Sequence, residues 1–313
     1  DVPEAMNPFN SERTAGGSSG GSASIVGAGV CDVAIGTDTG GSIRIPAHYC
    51  ATVGFKPSYG SISLEGSTPL SPTFDHVGLL ARDTQTTIWI FSALLGGLEP
   101  DPKTEIKGLR VGVVKSHFDL PELETEVRDS VQGAIAKLKG AGAAIIEVDD
   151  RAFQELGKTF EDILLFEAWR VHGEKVKADP GHFGAETLRL FQAAKFVTLD
   201  VYDAAIARRN ELLPEARKVY DDIDVLLTPT APFVAPVTTP PVDTPEGAVE
   251  GFYTGIFNIT GDPAISIPCG LNSEGLPIGL QLATVKGTDM LLLSIAQAVE
   301  ELIDLHLLDN LHK

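Results

Sequence analysis

The chain has 313 residues, 43% hydrophobic and 21% charged, a balance that supplies a sizeable core and argues against a disordered chain. A formal net charge of −19 makes it a poor partner for nucleic acid or an anionic membrane surface. Its three cysteines, Cys31, Cys50 and Cys269, form no Cys-x-x-Cys pair and no long apolar run appears, so the expectation is a cytoplasmic protein with buried thiols, no disulfide framework, no zinc site and no membrane span.

Residues 1–14 are polar and turn-rich, lack the pattern of a signal peptide, and run straight into a glycine loop, GGSSGGS at 16–22. Residues 22–30 read as a helix of small residues and 33–35 as a short buried strand. A second glycine loop, GTDTGGS, covers 36–42, and a short helix is expected over 43–50 with Pro46 in its first turn. Glycines and prolines punctuate the stretch from GFKPSYG (54–60) to DHVG (75–78), and a helix over 84–95 ends at Gly96-Gly97.

Residues 98–107 read as a linker. A strand at 109–114, a helix at 122–139 and a strand at 144–148 then make a β-α-β unit, which implies parallel pairing. Helices are expected at 151–178, 185–195 and 199–221, then a strand at 225–228 closed by a proline-rich surface loop reaching 245. A helix at 252–260, strands at 264–268 and 279–282 around a turn at Glu274-Gly275, and a helix at 287–307 complete the chain. No internal repeat is present. The pattern predicts an α/β fold, a mixed β-sheet core covered by helices on both sides, with residues 1–313 in one domain.

The two glycine loops carry the chemistry. Acyl transfer to a serine needs a nucleophile, a base for its proton and donors for the oxyanion. Ser42 ends a Gly-Gly turn just before a helix start, so it is the candidate nucleophile, although a serine there also suits a helix cap. The N–H groups of Thr39, Gly40, Gly41 and Ser42 are the candidate oxyanion donors, and Asp38 and Arg44 flank the loop as a structural ion pair. No histidine sits in a suggestive motif. His48 and His76 are nearest, and a buried neutral lysine is the other route to a base. Phe233, Phe252, Tyr253 and Phe257 are either pocket or core aromatics.

These motifs resemble the amidase signature family, whose members use a Ser–cis-Ser–Lys triad. DTGGSIRIP matches the nucleophile loop at Ser42. GGSSGGS matches the loop of the bridging serine, which places that role on Ser18, after a cis peptide bond. The resemblance continues through GFKPSYG, DHVG, DVLLTPTAP (224–232), FNITGDPAISIPCG (257–270) and GLPIGLQL (275–282), almost the whole chain. It implies an oxyanion hole at Thr39, Gly40 and Gly41, a Ser18 hydroxyl relaying a proton between Ser42 and a neutral lysine, and neither cofactor nor metal.

One departure touches the triad. The family's lysine lies upstream of the first glycine loop, and no lysine precedes Ser18 here; Lys56 is the only lysine before position 100 and matches a position that is not the family's base. The chain is therefore expected to lack an N-terminal segment, as a fragment, half of a split protein or a truncated product, with a homodimer or a partner chain as other sources of that segment. Leu79 and Thr284 also depart from the family pattern, away from the triad. Three readings follow: an amidase hydrolysing a small-molecule carboxamide, which ranks first; a glutaminase-type component of a tRNA-dependent amidotransferase; and an inactive remnant.

Overall fold

The computed structural model describes residues 4–98, 104–241, 244–305 and 307–308. Residues 99–103 of the expected linker, 242–243 of the proline-rich loop and 306 of the last helix lie outside the described residues.

The elements in chain order are α1 (Gly20–Gly27), β1 (Val33–Asp38), α2 (Arg44–Cys50), β2 (Val53–Lys56), β3 (His76–Ala81) and α3 (Thr84–Leu94). Next come β4 (Arg110–Val113), α4 (Thr125–Gly140), β5 (Ala144–Glu147), α5 (Arg151–Gly157), α6 (Phe160–Ala178), α7 (Ala185–Ala194) and α8 (Leu199–Ala216). The chain closes with β6 (Val225–Pro229), α9 (Pro245–Glu250), α10 (Ile256–Thr260), β7 (Ala264–Leu271), β8 (Pro277–Ala283) and α11 (Asp289–Ile303).

The strands form one eight-stranded sheet in the order β1-β3-β2-β7-β8-β6-β4-β5. Pairing is antiparallel from β1 to β6, and β4 pairs in parallel with both β6 and β5, as the β-α-β unit requires. The sheet is thus mixed, and alternation along its strands loads both faces. Val225, Leu227, Ile265, Ile267, Ile278, Leu280 and Leu282 face a core shared with α3, α4 and α11. Leu226, Ala264 and Ala283 point the other way, towards α5, α8 and α10. On that second face α1 and α2 pack beside Leu80, Ala231 and Ala235.

Several expectations need correction. β1 runs on to Asp38, because Gly36, Thr37 and Asp38 pair with Gly78, Val77 and His76, so only the last residues of the second glycine motif form a loop. The segments read only as punctuated by glycine and proline supply β2 and β3, central strands of the antiparallel half. The expected helix at 151–178 is two helices, and the one expected at 252–260 keeps only its last turn. The proline-rich loop is a surface feature only in part: Ala231, Val234 and Ala235 are buried, and its front half covers α2.

Candidate active site

The first glycine loop leads into α1 and contains a cis peptide bond between Gly17 and Ser18. Ser18 is exposed, and its neighbour Ser19 is buried. The Ser19 hydroxyl donates to Thr37 O and accepts from Thr37 N, both at 3.1 Å. The Ser19 N–H donates to Ser42 O at 3.1 Å. The first loop is therefore fastened to the strand that enters the second loop and to the residue that ends it. Among the described residues no hydrogen bond joins the Ser18 and Ser42 hydroxyls, so the relay contact the sequence led us to expect is not formed.

Ser42 is half-buried and stands one residue ahead of the α2 cap. The cap position is Ile43, with no side-chain cap bond, so capping does not occupy the Ser42 hydroxyl. The N–H groups of Thr39, Gly40, Gly41 and Ser42 donate to no protein acceptor among the described residues. Gly41 has φ +142°, and a Cβ there would collide with Thr254 Oγ1 and come within 2.7 Å of Ile45 Cδ1. The loop is pinned on both flanks: Thr39 Oγ1 donates to Asp75 Oδ1 at 2.6 Å, and Thr254 Oγ1 donates to Gly40 O at 2.6 Å.

Beneath the loop Arg44 and Asp38 are both fully buried. A guanidinium carries five N–H donors, and all five are used here. Nε and one Nη2 proton reach the two Asp38 carboxylate oxygens at 3.0 and 2.8 Å, and Nη1 reaches Thr254 O and Gln281 Oε1, each at 2.8 Å. The remaining Nη2 proton reaches Asn258 Oδ1 at 2.7 Å. Asp38 Oδ2 also accepts the Ile43 N–H at 3.1 Å, and Asn258 Nδ2 donates to Asp38 O and Oδ1, both at 2.9 Å. Burial opposes ionisation of Asp38, but the Arg44 charge and hydrogen bonds outweigh it and hold the carboxyl well below its usual range.

The three alternative bases are placed elsewhere. Lys56 is fully buried, and burial with the nearby Arg44 charge brings its pKa down to about 7. Its Nζ donates to Asp262 O at 2.6 Å and Pro57 O at 3.1 Å, and bonds to neither serine. His76 Nδ1 bonds to Phe74 O at 2.6 Å, its Nε2 is buried without a partner, and burial lowers its pKa well below the ordinary value. His48 is structural: its Nδ1 accepts from Gly279 N at 2.8 Å, so its Nε2–H donates to Phe233 O at 3.1 Å. Burial brings His48 down to about 4, which keeps it neutral.

Sequence reasoning missed Thr254, Asn258, Gln281 and Asp75, which hold the loop from distant segments. Two of the four aromatics are core: Tyr253 and Phe257 are buried, and Tyr253 OH donates to His117 O at 2.7 Å. Phe252 is exposed and Phe233 is half-buried. Among the described residues no group of three histidine, cysteine, aspartate or glutamate side chains is arranged to hold a metal, and no helix is long and apolar enough to cross a membrane.

Known proteins share this arrangement of sequence and fold. The family model described as Amidase matches residues 3–293. A glutamyl-tRNA(Gln) amidotransferase subunit of Synechococcus sp. (strain CC9605) is 34% identical over 338 aligned positions, which cover 95% of this chain and 68% of that protein. A crystal structure of an amidase superposes with a TM-score of 0.85 at 32% identity, covering 95% of this chain and 68% of that one. The corresponding glutamyl-tRNA(Gln) amidotransferase subunit of Thermotoga maritima does so at 0.80 and 28%, with 95% and 68% covered. The chain thus spans about two thirds of the length of the relatives it matches. Both glycine loops, the buried pair beneath them and the strands that carry them fall inside the matched range, and the chain belongs to the amidase family.

Proposed function

We propose that this chain carries the acyl-transfer site of an amidase that cleaves a carboxamide C–N bond through an ester on Ser42. Ser42 Oγ attacks the carbonyl carbon, the carbonyl electrons move to oxygen, and the N–H groups of Thr39, Gly40, Gly41 and Ser42 hold the oxyanion. Collapse of that intermediate expels the protonated amine, and water then releases the acid. The family resemblance implies that Ser18 passes the Ser42 proton to a lysine base, which requires its exposed hydroxyl, not bonded to Ser42 in this structure, to turn towards Ser42. The engaged Nζ of Lys56 argues against Lys56 in that role. The observation that carries the reading is the run of four N–H groups without protein acceptors among the described residues, in a loop that ends at a serine outside the helix cap position. Asp38 and Arg44 act as the support of that loop, residues 1–313 act as one domain, and the acidic surface with unpaired thiols suits the cytoplasm.

The test is reaction with a fluorophosphonate, followed by mass spectrometry of the adduct. The adduct is expected on Ser42 and absent from Ser42→Ala; labelling at another serine, or only at cysteine, overturns the assignment. A second reading has a specific support, since relatives named as glutamyl-tRNA(Gln) amidotransferase subunits cover nearly all of this chain. In that reading the site is a glutaminase that works with a partner protein. Glutamine turnover that appears only with a partner favours it, and turnover of simple alkyl or aryl amides by the chain alone favours hydrolysis.

A further inference from the structure

We propose that Glu167 is a positioning residue for the oxyanion loop, acting from α6 through Ser71, Asp75 and Thr39. This deepens the acyl-transfer reading and rests on it. Glu167 is 8% exposed and collects hydrogen bonds from four donors. Its Oε2 accepts Ser71 Oγ at 2.6 Å and Thr73 N at 3.0 Å. Its Oε1 accepts Thr73 Oγ1, and Tyr202 OH of α8 at 3.0 Å. Ser71 is in turn fixed to Asp75, whose carboxyl accepts the Ser71 and Leu70 N–H groups. That same carboxyl accepts Thr39 Oγ1 at 2.6 Å, the first residue of the loop. An unbroken series of short contacts therefore runs from α6 to the donors assigned to the oxyanion.

A second contact from the same helix reaches the same loop. Phe160 stacks on Phe74, ring centroids 5.1 Å apart, and its ring lies so close to Gly40 that a Cβ there would come within 2.9 Å of Phe160 Cζ. Phe160 and Glu167 stand two helical turns apart, on one face of α6. One helix thus touches the loop with a ring beneath Gly40 and steers it with a carboxyl group through Thr39.

The bonding pattern predicts which substitutions matter. Glu167→Ala leaves the Thr73 N–H and the Ser71 hydroxyl without their buried acceptor. Glu167→Gln keeps a carbonyl oxygen for Thr73 N–H, and its amide protons meet the Thr73 and Tyr202 hydroxyls, which can turn to accept. The test is hydrogen exchange at the Ser19 and Ile43 amides, whose acceptors are Ser42 O and Asp38 Oδ2, with β7 and β8 amides as the folding control, alongside amide-hydrolysis kinetics. Glu167→Ala is expected to speed exchange at Ser19 and Ile43 by about tenfold or more while β7 and β8 stay protected. It should lower kcat by about tenfold or more, with KM changed less than about twofold, because oxyanion contacts act in the transition state. Glu167→Gln should stay near wild type in both. Unchanged Ser19 and Ile43 exchange in Glu167→Ala, or a Gln variant as impaired as Ala, overturns the inference. If Glu167→Ala exposes the whole sheet to exchange, Ser71→Ala decides: faster exchange at the same two amides supports the inference, and none overturns it. Fluorophosphonate labelling of the wild-type chain at a residue other than Ser42 sinks the acyl-transfer reading, and the exchange measurements still decide whether Glu167 holds the loop.

Discussion

Arg44→Met removes the guanidinium and keeps an apolar stem of similar reach. Five acceptors each lose a donor at once: both Asp38 oxygens, which keep only the neutral Ile43 N–H and Asn258 amide, Thr254 O, Gln281 Oε1 and Asn258 Oδ1. Both members of the ion pair are fully buried, so solvent does not screen the loss. Breaking one side of a buried pair costs about 3–5 kcal/mol, which for a chain of this size lowers Tm on the order of 10 °C. The pH dependence identifies the cause. In the wild type the Asp38 carboxyl is held below its unfolded value of about 3.9, so its stabilisation is present above that pH and is lost as the pH falls through the lower folded value. In the variant, burial without Arg44 raises the folded value above the unfolded one, which penalises the native state at neutral pH. That penalty fades on acidification, so the Tm gap between wild type and variant should be wider at pH 7 than at pH 5. Adding Asp38→Asn to Arg44→Met should recover part of the loss, because no uncompensated charge then remains buried. Calorimetric melts of the three proteins at both pH values make the measurement. A variant within about 1 kcal/mol of wild type, or a gap that ignores pH, would refute the reasoning.

Two further outcomes follow from the same region. Gly41→Ala forces a side chain into φ +142° against Thr254 and Ile45, so it should cost about 1–3 kcal/mol and slow Ser42 labelling well beyond its loss of folded protein; normal labelling would show that the loop geometry is not needed. Lys56→Met tests both the base and a titration. The wild-type lysine has its folded pKa near 7 against about 10.4 unfolded, so it penalises the native state fully below pH 7 and less as the pH rises towards 10. The Tm of Lys56→Met minus that of wild type should therefore shrink from pH 6 to pH 10, and Ser42 labelling should stay within about threefold of wild type. A loss approaching a hundredfold would make Lys56 the base.

The sequence made the special backbone of the loops legible because glycine and serine in fixed order mark it, a local property. Strand β1, the helix after Ser42 and the parallel β4-β5 pair were legible for similar local reasons. The supports of the site were not, since each is one polar residue in another segment. Gln281 sits in an otherwise apolar strand, Asn258 between Phe257 and Ile259, and Glu167 after the apolar run ILLF. A polar side chain enclosed by apolar neighbours in sequence is the available signal, because burying it requires a partner. The signal says that a partner exists without saying which one. β2 and β3 were missed because prolines and glycines flank them, and their strand character comes from pairing on both sides with neighbours distant in sequence.

The arrangement also accounts for where the candidate site lies. One end of the sheet, β1-β3-β2, is joined to β8 by α2, whose His48 bonds Gly279 and whose Arg44 reaches Gln281. Ser42 stands at the head of that helix, so its place is set by a rigid element anchored on two strands. Ser18 is set by a different anchor, the Ser19 bonds to Thr37 and Ser42. Two serines far apart in function from any core packing are thus each fixed through a neighbour: Ile43 and Arg44 for one, Ser19 for the other. A hydroxyl held in a structural bond is not free to react, and in both loops the structural bonds fall on an adjacent residue instead. On this argument Ser19→Ala should disturb the approach of the two loops while leaving both candidate catalytic hydroxyls in place, which separates the scaffold of the site from its chemistry.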